Sequence, residues 1–303
     1  MTRKFALLVG NGFTLDFIDS QNVDLHSSFP LKNFKSGKID FTNFIEHLPY
    51  IKKELFGQEI NDFDAITNFA SKYEIGSFEE SQLRHFLSMS YSNFQFYLDT
   101  LEFSKWKWSK WLKQNKEHLN LAISFNYDLV LERALKSANI RYSRIGTTEP
   151  VRSVSVLKPH GSIDFDIPNN TLIGHHPYQH RFSNSLTLND IGYVGVLPKW
   201  EWVLPRNEAD IIPPSVHNYQ KKLRWIQKMF NRYASYAQDL EALVIIGISY
   251  GNVDRPEIDF FLEKLPKDAK VYIAHPKPEI DLVKKIESLG LTVETFSFDE
   301  LPW

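Results

Sequence analysis

The final third of the chain constrains the fold more than any other part. Short apolar runs alternate there with amphipathic segments. Leu243 to Ile248, Lys270 to Ala274 and Thr292 to Phe298 read as strands, with Glu257 to Leu265 and Glu279 to Leu289 as the helices between them. Parallel neighbours in one sheet need a crossover, and a helix is the usual one, so the alternation specifies a parallel sheet covered by helices. The N-terminus follows the same grammar. Residues 4–10 form an apolar run without alternation, as a strand buried on both faces does. Leu119 to Phe125 is a further strand, followed by a helix over Leu129 to Ala138. A longer helix over Asn218 to Leu240 places Leu223, Ile226, Phe230, Tyr233 and Ala237 on one face. The expected fold class is α/β, a Rossmann-like parallel sheet flanked by helices.

Between the first two strands the pattern is helical from about Asp40 to Lys116. Leu83, Phe86, Leu87, Ser90, Phe94, Tyr97, Leu98 and Leu101 recur at steps of three and four and predict an amphipathic stripe. Residues 35–116 are therefore expected to form a helical insertion, a small subdomain after the first strand within a single domain spanning 1–303. Residues 150–215, rich in Gly, Pro, Asn and Ser, predict loops and small strands. A chain of 303 residues is within reach of one α/β domain carrying such an insertion.

Composition narrows the function classes. A net charge of −2 gives no bulk attraction to nucleic acid or to an anionic membrane. The sequence has no cysteine, which removes disulfides, cysteine nucleophiles and thiolate zinc sites together. The run Phe5 to Val9 is too short for a signal-peptide core, and no apolar segment approaches the roughly 20 residues that span a bilayer. The expected location is the cytoplasm, with no membrane partner.

Open α/β sheets bind ligands beyond the carboxyl ends of their strands. In this sequence those ends carry small and polar residues: Gly10-Asn11-Gly12-Phe13-Thr14 after the first strand, Ser124-Phe125-Asn126-Tyr127-Asp128 after the second, and Lys158-Pro159-His160-Gly161-Ser162 after the third. Gly247-Ile248-Ser249-Tyr250-Gly251, running on to Asp254, and Ala274-His275-Pro276 follow the next two. Each has a plainer explanation. Gly-Asn-Gly makes an ordinary turn, Asn126 and Asp128 are natural caps for the helix near Leu129, and Asp254 before Pro256 is a helix-start signal. His160 before a glycine can equally be a loop histidine. Their coincidence on one sheet edge is what points to a site.

As a set, Gly10-Asn11-Gly12, Phe125-Asn126-Tyr127-Asp128, Pro159-His160-Gly161-Ser162 and Ile246-Gly247-Ile248-Ser249 with Asp254 resemble the sirtuin-like NAD-binding superfamily. More narrowly they are similar to the sirtuin-like domains of bacterial anti-phage defence proteins, and the opening Gly-Asn-Gly-Phe also resembles abortive-infection proteins of the AbiH kind. These motifs span about 10–254. A third glycine at Leu15, which a dinucleotide fingerprint would want, is not required in that superfamily. The resemblance implies NAD binding and cleavage of the nicotinamide–ribose bond. It does not extend to protein deacylation, because sirtuin deacylases carry a four-cysteine zinc ribbon that this sequence lacks.

On that basis Asn126, His160 and Asp128 are the expected catalytic residues. His160 titrates near neutrality and suits a base acting on a ribose hydroxyl or the attacking water. Asn126 offers a donor and an acceptor, and Asp128 orients polar groups or stabilises the developing cation. Gly10, Asn11, Gly12, Phe13, Thr14, Gly247, Ser249, Asp254 and His275 are the expected NAD contacts. NAD+ is then the substrate, with no prosthetic group and no zinc.

Other features support weaker expectations. His175, His176 and His180 lack the patterned carboxylate of a metal site and read as a surface loop or hairpin. Trp106, Trp108 and Trp111 interleave with Lys105, Lys107 and Lys110, which is either a nucleic-acid stacking surface or, more simply, core. With Phe94, Phe96 and Tyr97 they exceed what a small helical layer need bury, and so predict a homo-oligomer or a defence partner such as an ATPase or Argonaute-like protein, with nucleic acid reached only through that partner.

Overall fold

Phe5–Val9 (β1) is buried at every residue because it is the central strand of the sheet, with β2 (Leu119–Ser124) parallel on one side and β7 (Ala242–Ile246) parallel on the other. The computed structural model describes residues 4–22, 46, 48–55, 62–74, 77–166, 192–202, 209–215 and 223–303. From β1 the chain passes through α1 (Asn11–Ser20), α2 (Pro49–Glu54), α3 (Asp62–Lys72), α4 (Phe78–Leu98) and α5 (Lys107–Asn115) before β2. Next come α6 (Val130–Ser137), β3 (Tyr142–Arg144), β4 (Val154–Leu157) and a short antiparallel pair, β5 (Phe165–Asp166) with β6 (Gly195–Val196). The chain continues through α7 (Arg224–Ala237), β7, α8 (Arg255–Glu263), β8 (Lys270–Ala274), α9 (Ile280–Ser288) and β9 (Thr292–Phe296).

The seven-stranded sheet runs β3–β4–β2–β1–β7–β8–β9, and every pairing in it is parallel. This is the Rossmann-like sheet that the sequence pattern predicts. Alternate residues of each strand enter opposite layers. Phe5, Leu7 and Val9 pack with the α4 and α5 side chains, whereas Ala6 and Leu8 join Ile226, Tyr233 and Phe261 of α7 and α8. With both faces covered, each large aliphatic side chain contributes roughly 1.5–3 kcal/mol through burial, which is why the strands read as unbroken apolar runs.

Four expectations change in the structure. Gly10-Asn11-Gly12 is not a free-standing loop, since α1 begins at Asn11 directly after β1. Helix α4 is not merely striped, because every residue from Glu80 to Gln95 is buried. Its polar side chains tie it to the rest of the domain: Gln95 Oε1 accepts from the Leu129 N–H at 2.7 Å, and Arg84 donates to Glu80 at 3.0 Å and to the Ala209 carbonyl at 2.9 Å. Third, Trp106, Trp108 and Trp111 are all at most 1% exposed and pack on Phe13 and Phe5. Of the two readings, core holds and the nucleic-acid stacking surface does not. Phe94 is buried too, and Phe96 and Tyr97 are half-buried against the same core. Fourth, α7 buries Trp225 and Met229 beside Ile226, Tyr233 and Ala237, while Phe230 leans on Phe260 and Phe261. Residues 218–222 of the expected helix, 35–45, 47, 56–61 and 75–76 of the expected insertion, and His175, His176 and His180 lie outside the described residues.

Candidate active site

From β1 the chain adds β2, then the edge strand β3, then β4 between those two, and returns to β7 on the other side of β1. The two halves part beyond the carboxyl ends of β1 and its neighbours, where such sheets form a crevice. A cavity of about 390 Å³ opens there. Gly10, Asn11 and Gly12 line it from β1, Asn126 and Asp128 from β2, His160 from β4, Gly247, Ser249 and Asp254 from β7, and His275 from β8. Phe13 and Thr14 are not in its lining. Phe13 is 1% exposed with its ring 4.6 Å from that of Trp106, so helical phase turns it into the core instead of toward a ligand.

The glycines meet one another. The Gly10 N–H donates to the Ile246 carbonyl at 3.0 Å and the Gly12 N–H to the Gly247 carbonyl at 2.9 Å. A Cβ on Gly12 would stand 2.6 Å from Gly247 Cα, and Gly247 itself holds φ +60°. The Gly12 N–H is therefore committed to β7, so the glycine pair serves backbone packing at the crevice floor and not, at Gly12, donation to a phosphate.

Asn126 bridges β2 to the β1–α1 junction. Its Nδ2 donates to the Gly10 carbonyl at 2.9 Å and to Thr14 Oγ1 at 3.0 Å, while Thr14 Oγ1 donates to Asp128 Oδ2 at 2.8 Å. The chain of donors fixes the amide orientation: the Gly10 oxygen can only accept, and the threonine hydroxyl has given its hydrogen to Asp128. Both Asn126 hydrogens are engaged, so it presents Oδ1, an acceptor, to a ligand. Asp128 does act as a cap, with Oδ1 accepting from the Val130 N–H at 3.0 Å. Burial pushes its carboxyl above the usual range, against the opposing pull of Lys158. Lys158, completely buried, donates to the Asp128 carbonyl at 2.5 Å and lies 3.2 Å from Glu132, bracing this loop from below.

His160 follows β4. Its carbonyl accepts from the Ile212 N–H at 2.8 Å, and its ring stacks on Phe125 with centroids 4.5 Å apart. Nε2 lies 2.6 Å from Glu257 Oε2 and 4.0 Å from Asp254 Oδ1. Glu257 is 2% exposed and was not signalled by the sequence motifs; the available cue is that it stands three residues after Asp254, on the same side of a starting helix. Asp254 occupies the N-cap of α8 yet its side chain makes no capping bond. It faces the cavity instead, and burial, aided by Glu257, raises its carboxyl against the pull of His160. Leu15, Phe63, Tyr91, Phe125, Tyr127, Pro214 and Ile248 complete the walls and were likewise not expected as site residues. The Tyr127 hydroxyl donates to the Ile212 carbonyl at 2.6 Å and is held strongly protonated by burial. No lysine or arginine is among the described lining residues.

Among the described residues no group of three or more metal-ligating side chains is arranged to hold a metal, and no helix is long and apolar enough to cross a membrane. No family model and no curated protein matches the sequence. Solved structures with a similar fold include a Sir2 enzyme, 14% identical, covering 95% of this chain and 93% of its own at a TM-score of 0.33. A Sir2–p53 peptide–NAD+ complex is 10% identical with coverages of 98% and 88% and a TM-score of 0.36. A Sir2 homologue mutant bound to ADP-ribose is 9% identical with coverages of 95% and 90% and a TM-score of 0.37. At these values the likeness is one of fold, and the chemistry rests on the site itself.

Proposed function

We propose that the protein is an NAD+ glycohydrolase, cleaving the nicotinamide–ribose bond to give nicotinamide and ADP-ribose. The observation that carries this is the convergence of His160, the Asn126 Oδ1 acceptor and the Asp254 carboxylate on one largely apolar cavity at the switch point of the sheet. In the reaction the C1′–N bond breaks and its electron pair leaves with nicotinamide, which departs neutral. Water bonds to C1′ and gives its proton to His160. Asp254 favours the positive charge that develops on the ribose, and the apolar walls keep the site dry. Asn126 Oδ1 accepts from a ribose hydroxyl or from the attacking water and so orients it.

By the motif resemblance, the setting is anti-phage defence, where NAD+ depletion stops an infected cell. A constitutive NADase in the cytoplasm would harm its host, so this reading includes a restraint by self-assembly or by a partner such as an ATPase or Argonaute-like protein. A second reading, a sensor that binds NAD+ or ADP-ribose without turnover, is favoured by the 6% exposure of His160 and its engagement with Glu257. Incubating purified protein with NAD+ and measuring free nicotinamide by chromatography decides between them. Release that disappears in His160→Ala supports hydrolysis. Saturable binding without release, with and without candidate partners, supports the sensor.

A further inference from the structure

We infer that Glu257 is a positioning residue which fixes His160 as the Nε2–H tautomer. This rests on the hydrolase reading for its role in turnover, but not for the tautomer itself. An ionised carboxylate only accepts hydrogen bonds, so a 2.6 Å contact between Glu257 Oε2 and His160 Nε2 places the hydrogen on Nε2. Neutral imidazole carries one N–H, and the lone pair is then on Nδ1.

Three further observations give the contact this role. Glu257 lies outside the cavity lining, so it meets the substrate through His160 and not directly. It sits in the first turn of α8, where the helix dipole favours a negative charge. The ring is held on its face as well, nearly parallel to Phe125 at 22°, so the carboxylate and the stack together fix both tilt and rotation. Asp254, at 4.0 Å from the same nitrogen, is beyond hydrogen-bond range and remains the cavity's own carboxylate. If His160 takes the proton released by water, the Nε2–H still donates to Glu257 and the resulting imidazolium is paired with a buried carboxylate.

The test uses the full-length protein labelled with 15N-histidine, with His160 assigned by the loss of its signals in His160→Gln. Long-range nitrogen–proton correlations are expected to show a neutral ring protonated at Nε2. In Glu257→Gln the amide either accepts or donates at Nε2, so both tautomers are expected, with kcat lowered roughly 10²-fold or more and KM little changed. Glu257→Asp restores the Nε2–H tautomer and part of kcat. A wild-type ring protonated at Nδ1 alone overturns the proposal, as does a Glu257→Gln protein with unaltered tautomer and kcat. If Glu257→Gln fails to fold, the wild-type spectrum and Glu257→Asp still decide. Absence of NAD+ cleavage in wild-type protein would count against the hydrolase reading alone, since the spectrum tests the tautomer without turnover.

Discussion

Gly12 and Gly247 lie backbone against backbone at the floor of the crevice, with the Gly12 N–H donating to the Gly247 carbonyl at 2.9 Å. This contact joins the first helix to the loop after β7 and brings the two halves of the sheet together where the cavity opens. Either glycine alone would allow a turn. The pair is needed because a Cβ on each would meet the other's backbone, at 2.6 Å from Gly12 and 2.4 Å from Gly247.

Gly247→Ala is therefore expected to destabilise the protein from two causes. Its φ of +60° costs a non-glycine residue about 1–3 kcal/mol, and the backbone overlap adds roughly 1–3 kcal/mol of overpacking. Gly251→Ala is the control, because a Cβ there meets nothing within 4 Å, and its effect is expected within about 0.5 kcal/mol. Urea midpoints of the two variants check the difference; equal midpoints would mean the contact is not tight.

His160→Ala and Asn126→Ala are each expected to lower NAD+ cleavage by about 10²–10⁴-fold while the fold is kept. The first removes the proton acceptor. The second removes the amide acceptor and frees the Gly10 carbonyl and Thr14, while the first also takes the 2.6 Å partner from the buried Glu257, so both carry a stability cost. Nicotinamide release with circular dichroism alongside measures both. Wild-type turnover in either variant would refute its assignment.

The sheet was legible because its strands are buried on both faces and write themselves as apolar runs, and because each ends in small or polar residues. Knowing where strands end gave Asn126, His160, Gly247 and Asp254 as neighbours before any geometry. Other features depend on angles and partners that spacing does not encode. Phe13 sits among site residues in sequence but points into the core by helical phase. Asn126 shows its donors and acceptor alike in sequence, and only Thr14 and the Gly10 carbonyl reveal that the donors are taken. Glu257 looked like one more acid at a helix start until His160 met it. The tryptophans of 106–111 read more simply as core, and they are core; spacing does not show that β1 and Trp303, far away in sequence, are what they pack against.

Acid sensitivity is expected to centre on Arg144 and Asp164. Arg144 Nη1 donates to both Asp164 oxygens, at 2.9 and 2.7 Å, and its Nη2 donates to Glu149 at 2.8 Å. Burial pushes the Asp164 carboxyl up, but Arg144 outweighs it and holds the group below the usual carboxylate range. A lowered folded-state value means the stabilisation is present above the ordinary range and is lost as pH falls through the folded value. Asp164→Asn is expected to cost about 1.5–3 kcal/mol near neutrality, because Arg144 loses one charged partner in a buried site and keeps Glu149. It should also flatten the loss of stability on acidification. Urea midpoints across a pH series check this, and a parallel offset of variant and wild type at every pH would remove Asp164 from the account.

Thr14 tests whether the site works as a connected unit. Its hydroxyl is the middle of the run from Asn126 to Asp128: it accepts from Nδ2 at 3.0 Å and donates to Asp128 Oδ2 at 2.8 Å, while standing outside the cavity lining itself. Valine has nearly the same shape without the hydroxyl. Thr14→Val leaves one Asn126 hydrogen and one Asp128 oxygen without that partner in a buried setting, at a cost of roughly 1–3 kcal/mol. The amide is then held by the Gly10 carbonyl alone, so its Oδ1 is less firmly oriented. NAD+ cleavage is accordingly expected to fall about tenfold or more through kcat, whereas Thr14→Ser keeps the hydroxyl and most of the activity. The coupling is read from a double-mutant cycle: if the run is one unit, adding Thr14→Val to Asn126→Ala costs little further activity. Fully additive losses would show that Thr14 and Asn126 act independently, and that the run is only a structural tie between β1 and β2.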